Sequence, residues 1–527
     1  MSLNRRFTPL HLLLISINGM VGSAWLFAPL YAAKIAGPAA IMAWLIGGLG
    51  TAVIALTFAE LSVMFPVAGG TAQIPQVTHG VLTSFMVSWI AWLSALTMAP
   101  IEVQAMLQYA STYFSSLTHL QDGIPVLTGM GMIVAVLLMM LMCVVNVASY
   151  NGLVRSNFVI FSFKVFVILL TIFVLINSSF HSNNFIGTFG STTTFSGWQA
   201  ILTAVATGGI AFAFTGFKHG VELAGETKQQ AIAIPLAIVG SVLICLLLYL
   251  GLQVAFIGAL NPDAFQNGWS LLGFAGDVGP FAGLAAGLGL VWLLKLLYID
   301  AVISPGGAGL IYVTSTARIL YAMSQIGYLP KWLQYLNKQH FPVAAILVNF
   351  IFGVFLFLPL PGWQAMVSFL VSGMVISYAM GPVSLICLRL ERPNDPRAFR
   401  LPAANLICPL AFYFCNLLSY WCGWDTIWKL AIAILIGAFL FGIAVLRKQI
   451  KITNYNVRSG LWMIPYLSGL VLISYLGAYG GKQIIPFGWD FVVIAIFSAV
   501  ILYLAIASRA TLSEQIMDAR LQQAIST

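Results

Sequence analysis

The sequence predicts an all-α, polytopic membrane protein in which two five-helix halves form an inverted repeat and four further helices follow. Three observations predict this fold. Of 527 residues, 60% are hydrophobic and only 7% are charged, whereas soluble proteins carry about 25% charged residues. Fourteen apolar runs are long enough to cross a bilayer core of about 30 Å. Two of these runs are interrupted by glycine at matching places, five helices apart.

The first apolar run has no convincing signal-peptide cleavage site, so we expect it to remain as a membrane helix. The fourteen runs together predict about 14 transmembrane helices, with boundaries that sequence alone places only to within a few residues. They lie near residues 10–33, 38–64, 84–110, 126–148, 155–178, 198–224, 231–258, 281–316, 342–360, 363–389, 403–424, 428–447, 461–479 and 489–508.

The positions of Lys and Arg predict the orientation, because cytoplasmic loops of membrane proteins are enriched in both. If the N-terminus lies in the cytoplasm, only three of the Lys and Arg residues outside the spans fall on the opposite side of the membrane: Lys34, Lys429 and Lys482. Both termini are therefore expected in the cytoplasm and the protein in the inner membrane, and the net charge of +9 is a topology signal that gives no reason to expect nucleic acid. Seventeen basic residues fall on the cytoplasmic side: Arg5, Arg6, Arg155, Lys228, Arg318, Lys331, Lys338, Arg389, Arg392, Arg397, Arg400, Arg447, Lys448, Lys451, Arg458, Arg509 and Arg520.

The two interrupted runs are the first and the sixth. The first reads ISINGMVGSAWLFAP and carries Gly19 and Gly22 in mid-span, and the sixth reads GGIAFAFTGFKHGVELAGE, with Thr215 and Gly216 before a polar pair. Gly22 and Gly216 are 194 positions apart, about the length of five helices. Such paired interruptions predict an inverted repeat with a binding site at the bilayer midplane. The alternative is close helix packing through small residues.

An interrupted helix offers both partners of an α-amino acid. The half after the break exposes N–H groups at its positive end, which attract a carboxylate. The half before the break ends in free carbonyl groups, which can accept hydrogen bonds from an ammonium group. Unpaired peptide groups are tolerated at that depth only where they line protein or a polar cavity.

The sequence lacks the motifs expected of other classes of protein. The sequence has no Walker G-x-x-x-x-G-K-[ST] motif, so transport driven by ATP is not expected. It has no H-E-x-x-H motif and no G-x-S-x-G motif after a strand, and its six cysteines have no metal-ligand spacing, so we expect neither an enzyme nor a metal or other cofactor. The remaining alternative is a channel. The sequence shows neither the repeated pore motif nor the charge rings expected of one.

Five motifs, in order, resemble those of the amino acid–polyamine–organocation superfamily of permeases. The combination of AWLFAPLYAAKIAGPAA, FPVAGGTAQIPQ and FKHGVELAGE is most similar to the subgroup of aspartate–proton symporters. The resemblance covers about residues 10 to 450. The five motifs are GMVGSAWLFAP, FAELSVMFPVAGG, FTGFKHGVELAGETK, ARILYAMSQIGYLPKW and RLERPNDPRAFRLP.

This resemblance implies a leucine-transporter-type fold with discontinuous helices 1 and 6. It implies that the substrate carboxylate binds main-chain amides near Gly22, Ser23 and Ala24. Ala24 stands where the family motif has glycine, which puts the closeness of that approach in doubt. The ammonium group would lie near carbonyls of Met20 and of the segment from Phe212 to Thr215, with Gly216 next to it and Phe214 as an aromatic gate.

Three lysines lie within predicted spans, where a charged side chain costs at least about 2.5 kcal/mol and so has a pairing or functional reason to be there. Lys164 lies in the fifth run, where the resemblance implies a lysine in place of a sodium ion. Removed from water, it could gain and lose a proton within a working range. The alternative is a lysine that extends to the membrane boundary.

Lys218 is a candidate counter-charge for an acidic substrate side chain, and the alternative is an ion pair with Glu222 at i+4. His219 beside it is expected to be a hydrogen-bonded polar residue more than a proton relay. Glu102, Lys295 and Asp300 form a candidate buried charge network. Lys295 and Asp300 point about 140° apart on a helix, so Glu102 is the candidate partner of Lys295.

Together these features predict a secondary transporter, with proton-coupled uptake of aspartate or glutamate as the favoured activity. A neutral amino-acid permease and an amino-acid exchanger remain open. The predicted organisation is a first repeat over 1–180, an inverted repeat over 195–390, four accessory helices over 400–510 and a cytoplasmic tail over 511–527. The expected partners are an amino acid, H+ and the lipid bilayer.

Overall fold

The computed structural model describes residues 7–66, 70–121, 124–148, 150–186, 197–274, 279–337, 341–447, 449–450 and 453–515. Two interrupted segments lie within this array of helices. The helices in the first half of the chain are α1 (Pro9–Met20), α2 (Ala24–Ala36), α3 (Ala40–Met64), α4 (Gly70–Leu96), α5 (Met98–Ala110), α6 (Gly129–Ala148), α7 (Tyr150–Ser178), α8 (Trp198–Thr207), α9 (Ile210–Ala213), α10 (Lys218–Glu222), α11 (Gln230–Pro235) and α12 (Ser241–Ala259).

The second half of the chain continues as helices that pack around the first. They are α13 (Pro280–Gly287), α14 (Val291–Gln325), α15 (Val343–Phe355), α16 (Gly362–Tyr378), α17 (Met380–Glu391), α18 (Ala404–Trp421), α19 (Trp424–Leu446), α20 (Asn454–Gly460), α21 (Met463–Leu476) and α22 (Trp489–Ala507).

Within the described residues, ten helices are long and apolar enough to cross a membrane, or up to eleven if α8 and Ile210–Glu222 form one bent span. The all-helical membrane fold is as predicted, but this count is below fourteen. Two reasons are visible. The predicted first two runs share one continuous stretch, Ala24–Met64, and the apolar helices α1 and α15 have only 12 and 13 residues.

A small antiparallel hairpin departs from the purely helical prediction. Strand β1 (Thr118–Gln121) pairs with strand β2 (Ile124–Leu127), with Thr118 opposite Leu127 and Gln121 opposite Ile124. Strand β1 falls between the predicted third and fourth runs, and β2 overlaps the start of the fourth run, 126–148. The membrane helix α6 begins after the hairpin, at Gly129.

The first interruption lies where the sequence predicts it. Helix α1 starts at a favourable cap, because the Thr8 side chain accepts a hydrogen bond from the His11 N–H and Pro9 begins the helix. It ends at Met20, and α2 begins at Ala24. Between them the Gly22 N–H bonds to the Met20 carbonyl at 3.0 Å, a tighter turn than a helix makes. The prediction of a discontinuous first helix is therefore confirmed in the structure's geometry.

The second interruption lies earlier than predicted. Helices α8 and α9 meet at an angle of 44° across Gly208 and Gly209, and Gly209 has a left-handed φ of +91° that glycine adopts without a steric cost. Thr215–Phe217, where the sequence predicted the break, is a turn of 3₁₀ helix that continues into α10. The predicted bend at Gly216 lies about seven residues C-terminal to the observed one, because the prediction gave more weight to Gly216 than to Gly208 and Gly209.

Burial separates central from peripheral helices. Of the most apolar 18 residues in the spans Gln73–Ala110 and Gly362–Glu391, 89% and 94% are buried, whereas the corresponding shares in Gly129–Ala148 and Trp424–Leu446 are 28% and 22%. The first two spans are therefore central, and α16 of one packs against α4 of the other. The peripheral helices expose large apolar side chains such as Leu137 and Leu435, as expected of helices that face lipid.

A buried ion pair closes one end of the molecule. Glu60, near the end of α3, accepts two hydrogen bonds from Arg389 of α17 and one from the Leu401 N–H at 2.7 Å. Arg397 lies 3.1 Å from the same carboxylate. Nearby, Phe7 exchanges main-chain hydrogen bonds with Glu226 and Lys228, which joins the segments before α1 and after α10.

Candidate functional site

Side chains from three other helices bind the carbonyl groups at the end of α1. The Tyr312 hydroxyl donates to the Gly19 carbonyl at 2.5 Å, and the Tyr249 hydroxyl donates to the Met20 carbonyl at 2.8 Å. The Lys164 ammonium group donates to the Val21 carbonyl at 2.8 Å. These partners come from α14, α12 and α7. The interruption therefore has hydrogen-bond partners for its free carbonyls, as a buried helix end requires.

A carboxylate binds the other side of the same interruption. Glu102, on α5, accepts a hydrogen bond of 2.7 Å from the Ser23 N–H, the residue before α2. Its second oxygen lies against Gly22, where a Cβ would collide with it and would lie 2.9 Å from the Cβ of Ala308. Glycine is required here by close approach. The predicted residues Met20, Gly22 and Ser23 thus lie together, and Ala24 begins α2 beside them.

Three ionisable groups surround the first interruption. Lys164 is fully buried and interacts electrostatically with Asp300 and Glu102, which are also buried. A methyl group at Gly307 of α14 would lie 3.2 Å from the Lys164 ammonium nitrogen, so the lysine fills the space between α1 and α14. Asp300 accepts a hydrogen bond of 2.9 Å from Ser304. With all three ionised, this cluster carries a net charge of −1.

The predicted place of Lys295 in that network is wrong. Its side chain is exposed, whereas Asp300 on the same helix is buried. The predicted run 281–316 is divided at residues 288–290, where Gly289 has a left-handed φ of +71°, and α14 begins at Val291. Lys295 therefore lies in the second turn of a helix and not in mid-span. The lysine that interacts electrostatically with Glu102 and Asp300 is Lys164.

The sixth segment touches the first at Gly216. A methyl group at Gly216 would lie 2.6 Å from the main-chain nitrogen of Met20 and 2.7 Å from the carbonyl carbon of Gly19. Only glycine allows two backbones to approach this closely. Beside it, the Thr215 hydroxyl donates to the Phe212 carbonyl at 2.8 Å. The two interrupted segments are therefore in direct contact.

The two phenylalanines before Gly216 face different neighbours. The Phe214 ring packs against Trp44 and Tyr249, with centroids 5.9 Å and 5.6 Å away. The Phe212 ring packs against Trp363 at 5.9 Å. Phe212 thus contacts the ring that bonds to Ser23, and Phe214 contacts the ring that bonds to Met20.

Lys218 lines a small cavity. Its ammonium group is 4.4 Å from the ring centroid of Phe58 and 4.8 Å from that of Tyr378, and it interacts electrostatically with Glu222. The cavity has a volume of about 40 Å³, room for on the order of three water molecules. Its polar lining is formed by Thr215, Lys218, His219, Glu222, Tyr312, Ser315 and Ser377.

His219 differs from the expectation that it is a satisfied polar residue. It is 5% exposed, and its Nε2 has no hydrogen-bond partner among the described residues. The ring lies against Gly19, where a Cβ would collide with it, and 5.5 Å from the Tyr312 ring. His219 therefore lines the cavity directly beside the end of α1.

Three residues of this site were not predicted from the sequence: Tyr249, Tyr312 and Trp363. Each carries a polar group inside an otherwise apolar run, and each is buried. Because a buried hydroxyl or indole N–H needs a partner, such residues could have been flagged as candidates to bind exposed peptide groups. Their partners could not have been read from sequence, since they lie 229 to 340 positions away.

Comparison with known proteins gives matches along most of the chain. A family model described as amino acid permease matches residues 7–464. The glutamate/serine transporter AimA of Bacillus subtilis (strain 168) is 37% identical over 513 residues, which cover 96% of this chain and 94% of the relative. The aspartate-proton symporter of the same organism is 32% identical over 501 residues, covering 94% of each.

A more distant relative is similar over a slightly shorter stretch. The branched-chain amino acid permease BcaP of Bacillus subtilis (strain 168) is 26% identical over 468 residues, covering 84% of this chain and 93% of the relative. The two relatives above 30% identity thus include an aspartate–proton symporter, the subgroup that the motifs resemble.

Proposed function

The chain belongs to the amino acid permease family, within the amino acid–polyamine–organocation superfamily, and from this premise we propose that it is a proton-coupled importer of acidic amino acids. It is an amino acid transporter and not an enzyme. The observation that carries the finer proposal is the Lys164 ammonium group on the Val21 carbonyl at 2.8 Å. A titratable side chain there binds the same interruption that offers amide groups to a substrate carboxylate.

The proposed architecture is the leucine-transporter type. Residues 1–180 and 195–390 would form two inverted five-helix repeats, 400–510 four accessory helices and 511–527 a cytoplasmic tail. In this proposal α1 with α2, and α8 with the segment to Glu222, are discontinuous helices 1 and 6 of fourteen. Both termini would lie in the cytoplasm, since that orientation places seventeen basic residues inside and three outside.

In the proposed binding mode, the substrate carboxylate accepts hydrogen bonds from the main-chain N–H groups near Gly22, Ser23 and Ala24. The Glu102 carboxylate holds the Ser23 N–H in the structure, so it must release that group when a substrate binds. The substrate ammonium group would donate hydrogen bonds to the carbonyl of Met20 and to carbonyls between Phe212 and Thr215. The Tyr249 hydroxyl, now on the Met20 carbonyl, would shift in the same way.

Proton coupling would follow from charge. The cluster of Lys164, Glu102 and Asp300 is buried, and an arriving substrate carboxylate adds another negative charge beside it. A new negative charge in a water-poor site favours the uptake of a proton by its neighbours. Binding of an acidic amino acid and of H+ would therefore support each other.

Lys218 is the proposed counter-charge for the acidic side chain. It is buried, lies two residues beyond Gly216, and lines the same small cavity as His219 and Tyr312. Its electrostatic interaction with Glu222 favours the second candidate, in which Lys218 is paired internally and the substrate is neutral. The name of one relative, a glutamate/serine transporter, includes substrates of both kinds.

The test is uptake into proteoliposomes without nucleotide or sodium. With an imposed inward proton gradient, labelled aspartate or glutamate should accumulate above the external concentration, and a protonophore should abolish the accumulation. Accumulation of serine or leucine with no acidic substrate would support a neutral permease. Counterflow that ignores the proton gradient would support an exchanger. Ion conductance with no uptake of any amino acid would support a channel.

A further inference from the structure

Trp363 fills the space between the two interrupted segments. It is the second residue of α16, is 1% exposed, and lies on the central span Gly362–Glu391. The positive φ of Gly362, +79°, turns the chain directly before it. A side chain of this size at the start of a central helix can contact several other helices at once.

Its contact with the first interruption is a hydrogen bond. The indole N–H donates to the hydroxyl oxygen of Ser23 at 2.9 Å. The main-chain N–H of the same serine holds the Glu102 carboxylate. Ser23 is therefore fixed from two sides, by α16 through its side chain and by α5 through its backbone.

Its contact with the second interruption is steric. A methyl group at Gly209, the left-handed residue at the 44° bend, would lie 2.6 Å from the Cη2 atom of Trp363 and 3.0 Å from the Cβ of Ala28. The tip of the indole thus rests on the bend itself. One side chain touches both places where the two helices are interrupted.

The same ring completes an aromatic cluster on the α2 side of the first interruption. It stacks on Tyr31 with centroids 5.4 Å apart and planes 8° apart, and it packs against Phe27 at 5.4 Å and Phe212 at 5.9 Å. Phe27 and Tyr31 lie one and two turns beyond Ser23 along α2. In the proposed orientation this side of the interruption faces the outside of the cell.

We infer that Trp363 is the outer gate of the transport site and that it couples the movements of the two interrupted helices. This inference rests on the proposed function. For a substrate to reach Ser23 from the outer side, the indole must leave, and leaving breaks its contacts with Ser23 and Gly209 together. Trp363 acts through Ser23 and is therefore a positioning residue.

The test measures access to Ala28, which is fully buried and packs against the bend. The six native cysteines are replaced, Ala28→Cys is introduced, and a membrane-impermeant thiol reagent is added from outside in the absence of substrate. Trp363→Ala should label about tenfold faster than the Trp363 protein, because it loses one hydrogen bond and three ring contacts. Trp363→Phe keeps most of the ring and should fall between them. An unchanged rate in Trp363→Ala would overturn the inference.

The matched control is Trp89, a buried tryptophan whose indole N–H also donates one hydrogen bond, to the Ala433 carbonyl at 2.9 Å. Trp89→Phe should leave the labelling rate of Ala28→Cys unchanged. A merely structural role of Trp363 predicts that the Trp89 and Trp363 variants act alike, and that result would contradict the inference.

Transport kinetics give a second readout. Trp363→Phe should lower the maximal rate more than it changes the KM, because gating and not the binding contacts is altered. A change in KM alone would contradict a gating role. Labelling without substrate separates this inference from the proposed function: if serine but not aspartate slows the labelling, the acidic substrate is wrong and the gate stands.

Discussion

At the first interruption the carbonyl groups of Gly19, Met20 and Val21 accept hydrogen bonds from distant side chains that include a lysine, whereas at the second neutral side chains donate: Gln364 to the Thr207 carbonyl at 3.2 Å and Tyr249 to the Ala213 carbonyl at 3.5 Å. The first set of partners lies 143 to 293 positions away in the sequence. In the second segment the Ala213 N–H bonds to the Gly209 carbonyl at 3.0 Å and the Phe214 N–H to the Ala211 carbonyl at 3.3 Å. Two charged side chains, Lys164 and Glu102, hydrogen-bond to the backbone of the first interruption.

From this difference we expect the two interruptions to respond to different changes. Because Lys164 and Glu102 hold the first one, its geometry can respond to a proton or to a competing carboxylate. The second one depends on steric fit, since Gly216 lies against the backbone of α1 and Gly209 against Trp363. Variants of ionisable groups should therefore change the pH dependence of transport, and variants of the glycines should not.

The largest effect is expected for Lys164→Met. The Val21 carbonyl loses its donor, and the carboxylates of Glu102 and Asp300 lose their cation. A hydrogen bond to a charged group contributes about 1.5–3 kcal/mol, so the initial rate of uptake should fall by roughly a hundredfold and its pH dependence should flatten. The measurement is aspartate uptake between pH 5 and 8.

The control for this variant is Lys295→Met, which removes an exposed lysine from α14. It should retain uptake and pH dependence close to those of the unaltered protein. If Lys164→Met keeps the full pH dependence, the difference between the two interruptions is not one of proton response.

A smaller effect is expected for Gly216→Ala. The added methyl group would lie 2.6 Å from the Met20 nitrogen, and backbone cannot move as a side chain can. Overpacking of this kind costs typically 1–3 kcal/mol, so thermal unfolding should occur at lower temperature and uptake should fall at every pH by a similar factor.

Gly442→Ala is the matched control, because a methyl group there meets nothing within 4 Å. In the last two turns of α19 it should leave stability equal or slightly higher, as alanine is the better helix former. A change in pH profile for Gly216→Ala would place the proton response in both interruptions and contradict the comparison.

Lys218→Met should change selectivity more than overall rate. The variant loses the cation in the wall of the small cavity, so uptake of aspartate and glutamate should fall about tenfold relative to serine and alanine. The measurement is competition of unlabelled amino acids against one labelled substrate. Equal losses for acidic and neutral substrates would remove Lys218 as a counter-charge and leave the internal pair with Glu222.

The smallest effect is expected for Tyr249→Phe. Without the hydroxyl, the Met20 carbonyl loses this donor and keeps the Gly22 N–H, so its freed lone pair is open to a substrate ammonium group and aspartate should bind about threefold more tightly. Tyr466→Phe is the control, since Tyr466 also donates one buried hydrogen bond, to Asn416 at 3.0 Å. Weaker aspartate binding in Tyr249→Phe, by thermal shift, would count against the ammonium site at Met20.

Much of the fold could be predicted from hydropathy, because the bilayer demands long apolar helices. The first interruption was also predictable, since Gly19 and Gly22 are poor helix formers in mid-span. The bend at Gly208 and Gly209, inside the predicted run 198–224, was misplaced because the prediction gave more weight to Gly216 and the polar pair after it. The 3₁₀ turn at Thr215–Phe217 keeps its hydrogen bonds, and composition cannot distinguish that from a break.

The residues around the site were harder to predict than the site itself. Lys164, Glu102 and Asp300 stood out as charges in apolar runs, and the structure brings them together. Lys295 was misassigned because the boundary of α14 was unknown, and a shift of a few residues moves a lysine from mid-span to a helix end. Tyr249, Tyr312 and Trp363 depend on contacts between helices far apart in the chain, which periodicity does not encode.

The number of protons taken up when an amino acid binds tests the central claim most directly. It is obtained by calorimetry of purified protein with aspartate in two buffers of different ionisation enthalpy at the same pH. We predict uptake of about one proton per aspartate bound, and close to none for Lys164→Met. Aspartate binding without proton uptake, or an equal proton number in both proteins, would contradict a proton-responsive first interruption.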